Sequence, residues 1–398
     1  MMNLPENFVT YDEARKAGFM KMKELKEKGA RTAGIFCSFV PVEILMAGGV
    51  VNASLCASSE QPIPAAETKL PRNLCPLIKA SYGFALTDTC PYFYFADLIV
   101  GETTCDGKKK MFELLNELKE TYVMQLPAQR NERGLDLWKK EIIALKEKLE
   151  DFYGIQITEE DIKKPIRLKN RERKAMLRFM ELGKLYPSPI SGYEISTVSD
   201  SLGFNFDMED RIRRVEERTE EVLKDWEENY KGKTSKRPRL LITGCPNGGV
   251  RDKIIKTVEE MGADVVAFDS CSGTREKVEE VDENMPVFDA LAKKYLNINC
   301  SVMSPNDSRQ GYIKEMIMST RQTEWWKLSC SPAIPTISRR ILSSVQWEAE
   351  GIPYLMIETD YSKSDQGQIA TRLEALLETI PKDRQRIPAP GKLLNKYK

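Results

Sequence analysis

Residues 96–110 read ADLIVGETTCDGKKK, an apolar run followed by a cysteine and then by three lysines. The run at 96–101 predicts a buried strand, and the residues after it predict a turn and the start of a helix. Similar strand-like runs occur at 32–36, 50–55 and 121–126, with helical segments between them. Strands that alternate with helices predict an α/β fold with a parallel sheet.

The pattern and the changes in composition divide the chain into three regions. We predict an N-terminal helix and first α/β domain at 1–130, a helical segment and linker at 131–237, and a second α/β domain at 238–398. The middle region is rich in charged helix formers. The last region has strand-like runs at 239–243, 264–268 and 352–357 and a closing helix at 371–380.

Charge and hydropathy exclude several classes of protein. Lysine plus arginine and aspartate plus glutamate number 60 each, so nucleic acid is not an expected partner. No window approaches about 18 uninterrupted apolar residues, and the first residues lack a charged segment followed by an apolar one. We therefore expect a soluble, cytoplasmic protein that does not bind a membrane.

The cysteine and histidine contents indicate a metal cluster. The chain has nine cysteines and no histidine, which excludes Ser/His/Asp triads, Cys/His nucleophile pairs and classical zinc hydrolase sites. The odd number of cysteines argues against a complete set of disulfides. Cys37, Cys56 and Cys105 follow predicted strands, where parallel sheets gather ligands. Because isolated cysteines are often simply buried, any single one of them could be structural.

The spacing of the cysteines restricts the kind of cluster. Cys75, Cys90 and Cys105 lie 15 residues apart, which excludes the closely spaced CxxC pattern of ferredoxins. A cluster would therefore be assembled from separate loops. Lys108, in the run of three lysines, is predicted to belong to a solvated helix face.

The glycines at 244–249 have the spacing of a phosphate loop. Val250 and Arg251 stand where that motif requires lysine and a hydroxyl residue. We predict a plain strand-to-helix turn here, and we expect any coupled ATP hydrolysis to belong to a partner.

Several segments together resemble the 2-hydroxyacyl-CoA dehydratase (benzoyl-CoA reductase) family, and within it most of all the double-cubane cluster proteins. They are PVEI at 41–44, AGG at 47–49, LPRNLCP at 70–76, CPYF at 90–93, TCDGKK at 104–109, TGCP at 243–246, SPND at 304–307 and IETDYS at 357–362. The resemblance extends over nearly the whole chain.

The resemblance implies a homodimer of chains with two Rossmann-like domains each and an iron-sulfur cofactor at the cleft between the domains. In the double-cubane proteins this cofactor is an [8Fe-9S] cluster, in which two [4Fe-4S] cubanes share a sulfide. The implied function is a reductase that passes low-potential electrons from an ATP-hydrolysing iron-sulfur activator to a small unsaturated molecule. Two alternatives stay open: an (R)-2-hydroxyacyl-CoA dehydratase-type subunit with one [4Fe-4S] cluster, and a non-catalytic electron-storage or redox-sensing protein.

The resemblance also implies cluster ligands. Cys75 and Cys105 match the N-terminal ligands of one cubane. The second set is implied to be Cys37, Cys271 and Cys300, with Cys90, Cys245 and Cys330 as reserves. Of these, Cys90 is expected to be structural.

The third ligand of the first cubane should come from a Leu-Gln-x-Cys-His-x-Tyr-Asn segment, which the chain lacks. Residues 323–347 read TEWWKLSCSPAIPTISRRILSSVQW, without strand or helix periodicity. Back-translation allows a neighbouring reading frame, DGVVEIVLQPCHTYNIEAYSIKRSV, which restores a strand, a cysteine and a histidine. We therefore hypothesise two compensating frameshifts in the written sequence. A divergent loop in which Cys330 substitutes is the alternative.

An intact-mass measurement of protein expressed from the gene tests this hypothesis. The measured mass is expected to differ from that of the written sequence, because the two reading frames encode different side chains over 323–347. Tandem mass spectrometry should then find a histidine-containing peptide in this interval, while peptides from 238–319 match as written. An intact mass equal to that of the written sequence would establish the divergent loop instead.

Overall fold

The computed structural model describes residues 11–244, 248–319, 325–331 and 354–379. These residues form two four-stranded sheets in which the paired strands are parallel. The predicted α/β class with parallel sheets is therefore confirmed. The domain limits at 130 and 237 stay a prediction.

The first sheet has the strand order β2-β1-β3-β4. Its strands are β1 Arg31–Ile35, β2 Val50–Ser54, β3 Leu98–Glu102 and β4 Thr121–Met124. Each coincides closely with a predicted strand. All residues of β3 are buried, as expected for an inner strand of a parallel sheet that is covered on both faces.

The second sheet has the strand order β6-β5-β7-β8. Its strands are β5 Arg239–Gly244, β6 Asp264–Asp269, β7 Trp325–Ser331 and β8 Tyr354–Glu358. The sequence pattern indicates no strand at 325–331, yet β7 pairs with both β5 and β8. An inner strand of a parallel sheet needs no alternating pattern, which explains why periodicity misses it.

Helices connect the strands of both sheets. They are α1 Tyr11–Glu27, α2 Val42–Ala47, α3 Ile63–Ala66, α4 Pro76–Leu86, α5 Pro91–Phe95, α6 Asp106–Asn116, α7 Glu132–Tyr153, α8 Glu159–Glu181, α9 Gly192–Ser201, α10 Met208–Asp225, α11 Thr257–Glu260, α12 Val287–Leu296, α13 Asp307–Ser319 and α14 Gln366–Glu378. In the sequence, helices α7 to α10 lie between β4, the last strand of the first sheet, and β5, the first strand of the second sheet. The closing helix α14 begins before the predicted start at 371, since the amide of Ile369 already donates to the carbonyl of Asp365 (2.9 Å).

Helix α8 begins at a capping box. The hydroxyl of Thr158 accepts from the amide of Asp161 (3.2 Å), and the carboxylate of Asp161 accepts from the amide of Thr158 (2.9 Å). Helix α7 ends at Gly154, whose φ of 62° is the left-handed conformation that glycine adopts readily. These two local signals fix where the chain turns from α7 into α8.

The core beside the first sheet includes residues that follow β6 in the chain. Trp138 of α7 and Leu291 of α12 are buried in the same cluster as Val100 of β3. The guanidinium of Arg130 donates to the carbonyl of Ile298 (2.7 Å). Helix α12 and the loop after it therefore pack against the first sheet's layer.

A buried charge network joins α2, α8 and the segment around α12. The guanidinium of Arg173 donates to Glu43 Oε1 (2.8 Å) and to Glu276 Oε1 (2.9 Å). Tyr295 donates its hydroxyl to Glu43 (2.6 Å), and Lys294 donates to Glu276 (2.7 Å). The side chains of Arg173 and Glu43 are fully buried. Because removing one member leaves an uncompensated buried charge, the network ties these segments to one arrangement.

The substitution Arg173→Met tests this network. It leaves Glu43 buried without its cation, so the free energy of unfolding is expected to fall by about 3–5 kcal/mol. Urea unfolding followed by circular dichroism measures the loss. The matched control is Arg171→Met on the same helix, whose ion pair with Glu209 is exposed and whose loss is expected to cost less than about 1 kcal/mol. Equal losses in both variants would contradict this account.

Candidate metal centre

Thiols follow the carboxyl ends of several parallel strands. Cys37 follows β1, Cys56 follows β2, Cys105 follows β3 and Cys271 follows β6. The carboxyl ends of parallel strands lie at one edge of a sheet, where ligands bind in α/β proteins. The structure therefore places these four cysteines at the ligand-binding edges of the two sheets.

The two edges face each other. A Cβ built on Gly249, in the turn after β5, would lie 2.8 Å from Ser58 Cβ after β2 and 2.4 Å from the ring of Tyr361. The charge of Cys271, after a strand of the second sheet, also acts on Cys56, after a strand of the first, and raises its pKa. Gly248–Val250 form a short 3-10 helix, and residues 245–247 of the predicted turn lie outside the described residues.

Cys75 and Cys105 each stand at the N-cap of a helix, α4 and α6 respectively. The two helix starts touch, since a Cβ built on Gly107 would lie 2.5 Å from Ile78 Cδ1 and 3.2 Å from Leu74 Cδ1. Glycine at 107 is thus required for the close approach. The N-terminus of a helix favours a thiolate because its unpaired amides and dipole stabilise negative charge.

Burial opposes ionisation at both of these cysteines. It raises the pKa of Cys75, although the amides of Ile78 and Leu77 act in the opposite direction. Burial likewise raises the pKa of Cys105, against the amide and the charge of Lys108. The charge of Cys105 contributes to the raised pKa of Cys75, which agrees with the touching helix starts. The two thiols are therefore neighbours that a bound cation would convert to thiolates.

Cys37 and Cys56 share a buried lysine. The ammonium of Lys108 donates to Cys37 Sγ and lies 3.8 Å from Cys56 Sγ. Lys108 is 4% exposed, so the prediction of a solvated face is wrong for this residue. It holds for Lys109 and Lys110, whose side chains are exposed. The reason is helical geometry, because successive residues of a helix point in different directions and only Lys108 points inward.

Protonation of the two thiols is coupled. A hydrogen bond from the Cys37 thiol, aided by the charge of Lys108, lowers the pKa of Cys56 to about 6. The same hydrogen bond, together with burial, raises the pKa of Cys37. At neutral pH the pair therefore holds one proton and one negative charge, which faces the ammonium of Lys108.

Glu102, the last residue of β3, is fully buried next to this group. Its Oε1 accepts from the amide of Phe39 (2.8 Å), whereas its Oε2 has no hydrogen-bond partner among the described residues. Burial raises the pKa of Glu102 well above its usual range, and the charge of Cys37 adds to this effect. Burial therefore favours the neutral form of Glu102, whereas the charge of Lys108 favours the ionised form.

The second sheet presents a corresponding arrangement. Asp269, the last residue of β6, accepts from the guanidinium of Arg275 (2.9 Å) and from that of Arg309 (2.8 Å). The guanidinium of Arg275 also lies 3.9 Å from Cys271 Sγ. Burial lowers the pKa of Arg275, but the neighbouring charge of Asp269 outweighs burial and keeps this pKa above its usual range. Cys271 therefore adjoins a buried cation.

The remaining reserve cysteines are placed differently. Cys90 caps α5, and its sulfur accepts from the amide of Phe93 (3.4 Å). The charges that influence its titration most are those of Arg15 and Asp88, not those of other thiols. Cys245 lies outside the described residues. The backbone of Cys330 lies on β7, in register with Gly244 and Ile357.

Sequence reasoning misjudged Lys108, which was assigned to solvent. It placed Cys56 after a strand at the ligand-binding edge but did not name it as a ligand, because Cys56 matches none of the segments that carry the resemblance. Among the described residues, no three Cys, Asp or Glu side chains converge closely enough to hold a single metal ion. A group that binds several of the thiols at once must therefore span more than one strand end.

The sequence model of the family described as 2-hydroxyglutaryl-CoA dehydratase, D-component, matches residues 37–380. The chain belongs to this dehydratase family. Its members include dehydratase enzymes, and the resemblance noted from the short segments is confirmed at the family level. The narrower likeness to the double-cubane proteins stays a prediction.

Three relatives in this dehydratase family span nearly the whole chain. The putative dehydratase subunit YjiM of Escherichia coli is 44% identical over 381 residues, which is 95% of this chain and 99% of that protein. The (R)-phenyllactyl-CoA dehydratase beta subunit of Clostridium sporogenes is 25% identical and covers 90% of this chain and 94% of its own length. The lactoyl-CoA dehydratase subunit beta of Anaerotignum propionicum is 23% identical, with 89% and 93% covered. In the part of the chain that the structure describes, no helix is long and apolar enough to span a membrane.

Alkylation of the metal-free protein tests the coupled thiols. Because the pKa of Cys56 is lowered to about 6, its thiolate persists at pH 7 and is lost as the pH falls through 6. The rate of iodoacetamide labelling at Cys56, followed by peptide mass spectrometry, is expected to have its midpoint near pH 6. In Lys108→Met the midpoint should move toward the ordinary thiol value of about 8.5.

Cys90 is the internal control for this experiment. Burial raises its pKa, so its labelling rate should increase only in alkaline solution. A Cys56 midpoint as alkaline as that of Cys90 would contradict the coupling between Cys37, Cys56 and Lys108.

Proposed function

We propose that this chain is an iron-sulfur enzyme that holds a double-cubane [8Fe-9S] cluster between its two sheets. Its ligands include Cys75, Cys105, Cys37, Cys271 and Cys300. The enzyme receives low-potential electrons from an ATP-hydrolysing iron-sulfur activator and reduces a small unsaturated molecule. The chain acts as a homodimer in this proposal, as the resemblance implies.

The observation that carries the proposal is the number of free thiols that follow the strands or lie near them. Cys37, Cys56, Cys105 and Cys271 follow strands, Cys75 caps the helix whose start touches that of Cys105, and Cys300 follows α12. A single [4Fe-4S] cluster takes about four thiolates at most. The excess, contributed from both sheets, favours a cofactor with two cubanes.

The chemistry of these positions fits such a cofactor. Cys75 and Cys105 start helices, whose N-termini favour the thiolate form. Lys108 and Arg275 place buried positive charge beside sulfur atoms. When bound, the cluster supplies the storage and transfer of low-potential electrons. The chain itself holds the sulfurs as thiolates and limits the access of water to them.

A separate ATP-hydrolysing partner is consistent with the turn after β5. Gly249 packs against Ser58 and Tyr361, and Val250 and Arg251 replace the residues that bind phosphate and magnesium in a phosphate loop. Because this turn lacks those groups, the proposal assigns nucleotide hydrolysis to another protein that docks on the chain.

A second candidate function is a 2-hydroxyacyl-CoA dehydratase-type subunit with one [4Fe-4S] cluster. The names of two relatives favour it, since both are beta subunits of dehydratases that act on acyl-CoA thioesters. In this case Cys75, Cys105 and one thiol of the second sheet would hold the cluster, which would supply an iron that activates the thioester carbonyl.

Iron and sulfide analysis of protein purified without oxygen distinguishes the two candidates. The double cubane predicts about eight irons per chain, whereas the dehydratase-type site predicts about four. A chain that binds neither iron nor sulfide under reconstitution would overturn both.

The substitution Cys75→Ser tests the ligand assignment. Loss of one thiolate from a cubane is expected to lower the iron content by about half or more, because each cubane depends on few protein ligands. Cys90→Ser is the matched control, since Cys90 also caps a helix, and its sulfur accepts a hydrogen bond from the amide of Phe93. Circular dichroism checks that both variants fold. If Cys90→Ser lost as much iron as Cys75→Ser, the assignment would be wrong.

A further inference from the structure

The two sheets repeat one local pattern at their inner edges. In the first, β3 ends at the buried Glu102 and a buried lysine, Lys108, follows six residues later. In the second, β6 ends at the buried Asp269 and a buried arginine, Arg275, follows six residues later. A cysteine lies between acid and cation in each case. The sequences of the two stretches are otherwise unlike, so the repetition is one of charge and position.

The first cation has sulfur atoms as its hydrogen-bond partners. The described contacts of the Lys108 ammonium are with Cys37 Sγ, Cys56 Sγ and the ring face of Phe36, whose centroid is 5.4 Å away. No carboxylate forms an ion pair with it among the described residues. A buried ammonium requires a compensating negative charge. The sulfurs of Cys37 and Cys56 are the groups in contact with the ammonium that can carry this charge, and the buried carboxyl of Glu102 also acts on Lys108 from a greater distance.

The second cation is shared between a carboxylate and sulfur. Arg275 donates to Asp269 (2.9 Å) and reaches to 3.9 Å from Cys271 Sγ. Asp269 also pairs with Arg309 and accepts a hydrogen bond from the hydroxyl of Thr243 (2.6 Å). Two arginines surround one aspartate, so positive charge is in excess at this edge of the sheet. The guanidinium of Arg275 carries this charge toward Cys271.

We propose that Lys108 and Arg275 are paired positioning residues, one from each sheet, that offset the negative charge of the thiolate-bound cluster and raise its reduction potential. This inference rests on the proposed iron-sulfur function. It goes beyond that function because Lys108 and Arg275, which are not ligands, are assigned the role of tuning the reduction potential of the cluster. Reduction adds an electron to a cluster that is already negative, and nearby positive charge stabilises the reduced state more than the oxidised one.

The experiment is a redox titration of the reconstituted full-length protein, followed by electron paramagnetic resonance. Lys108→Met and Lys108→Gln remove the charge, and both are expected to shift the midpoint potential to a more negative value. Lys108→Arg keeps the charge and should restore the wild-type potential. Arg275→Gln is expected to shift the potential in the same direction, and Arg275→Lys should restore it.

Lys110→Met is the matched control. Lys110 belongs to the same run of lysines on α6 but is exposed and pairs with Glu113. Its removal takes away one positive charge without changing the charge beside the thiols, so the midpoint should equal that of the wild type. The shifts in the Lys108 variants must exceed the difference between the wild type and Lys110→Met.

The possible results distinguish a failure of the proposed iron-sulfur function from a failure of the role assigned to the two cations. Wild-type protein that binds no iron overturns both. Wild-type protein that binds iron, with the same midpoint in Lys108→Gln and Arg275→Gln as in Lys110→Met, overturns only the role of the two cations. If Lys108→Met does not fold, Lys108→Gln against Lys108→Arg decides the question, because both retain a hydrogen-bond donor and differ in charge. A negative shift that appears in Lys108→Arg as well would also overturn the inference, since geometry and not charge would then be responsible.

Discussion

The fully buried ion pair between Arg173 and Glu43 is the interaction on which the arrangement of this protein depends. Arg173 lies on α8, Glu43 lies on α2 beneath the first sheet, and Glu276 brings the chain that follows β6 to the same guanidinium. An apolar contact between these segments would tolerate sliding. A buried guanidinium tolerates little, because each hydrogen bond it loses leaves a charge in an apolar environment. This network therefore fixes the position of one sheet relative to the other, and with it the distance between their thiols.

The candidate metal centre differs from this network in the groups that balance its buried cation. Around Arg173 the buried charges are balanced by carboxylates. Around Lys108 they are not, because the sulfurs of Cys37 and Cys56 take the place of a carboxylate. A lysine that is buried against thiols is stable only where those thiols are ionised or bound to a cation. The ammonium therefore favours negative charge on these sulfurs, which is the state that the proposed cluster requires of its ligands.

Most of the fold could be predicted from the sequence, because its inner strands are short apolar runs bounded by glycine or polar residues. The run at 96–101 predicts β3 in this way, and the cysteines after the strands indicate the ligand-binding edge. Other features depend on contacts distant in sequence. The inward direction of Lys108 depends on how α6 packs, and the contact of α12 with the first sheet's layer depends on Arg130 and its partners. Strand β7 was missed because its sequence carries no alternation, and its pairing with β5 and β8 could be recognised only in three dimensions.

The most direct test of the central claim is an anaerobic crystal structure with anomalous diffraction recorded at the iron absorption edge. The account predicts two adjacent groups of iron peaks between the facing sheet edges. One group should lie within bonding distance of Cys75 and Cys105, and the other should lie beside Cys271 and Cys300. A single group of peaks held only by the first set would support the dehydratase-type site instead. Well-ordered cysteines with no iron peak between the sheets would contradict the account altogether.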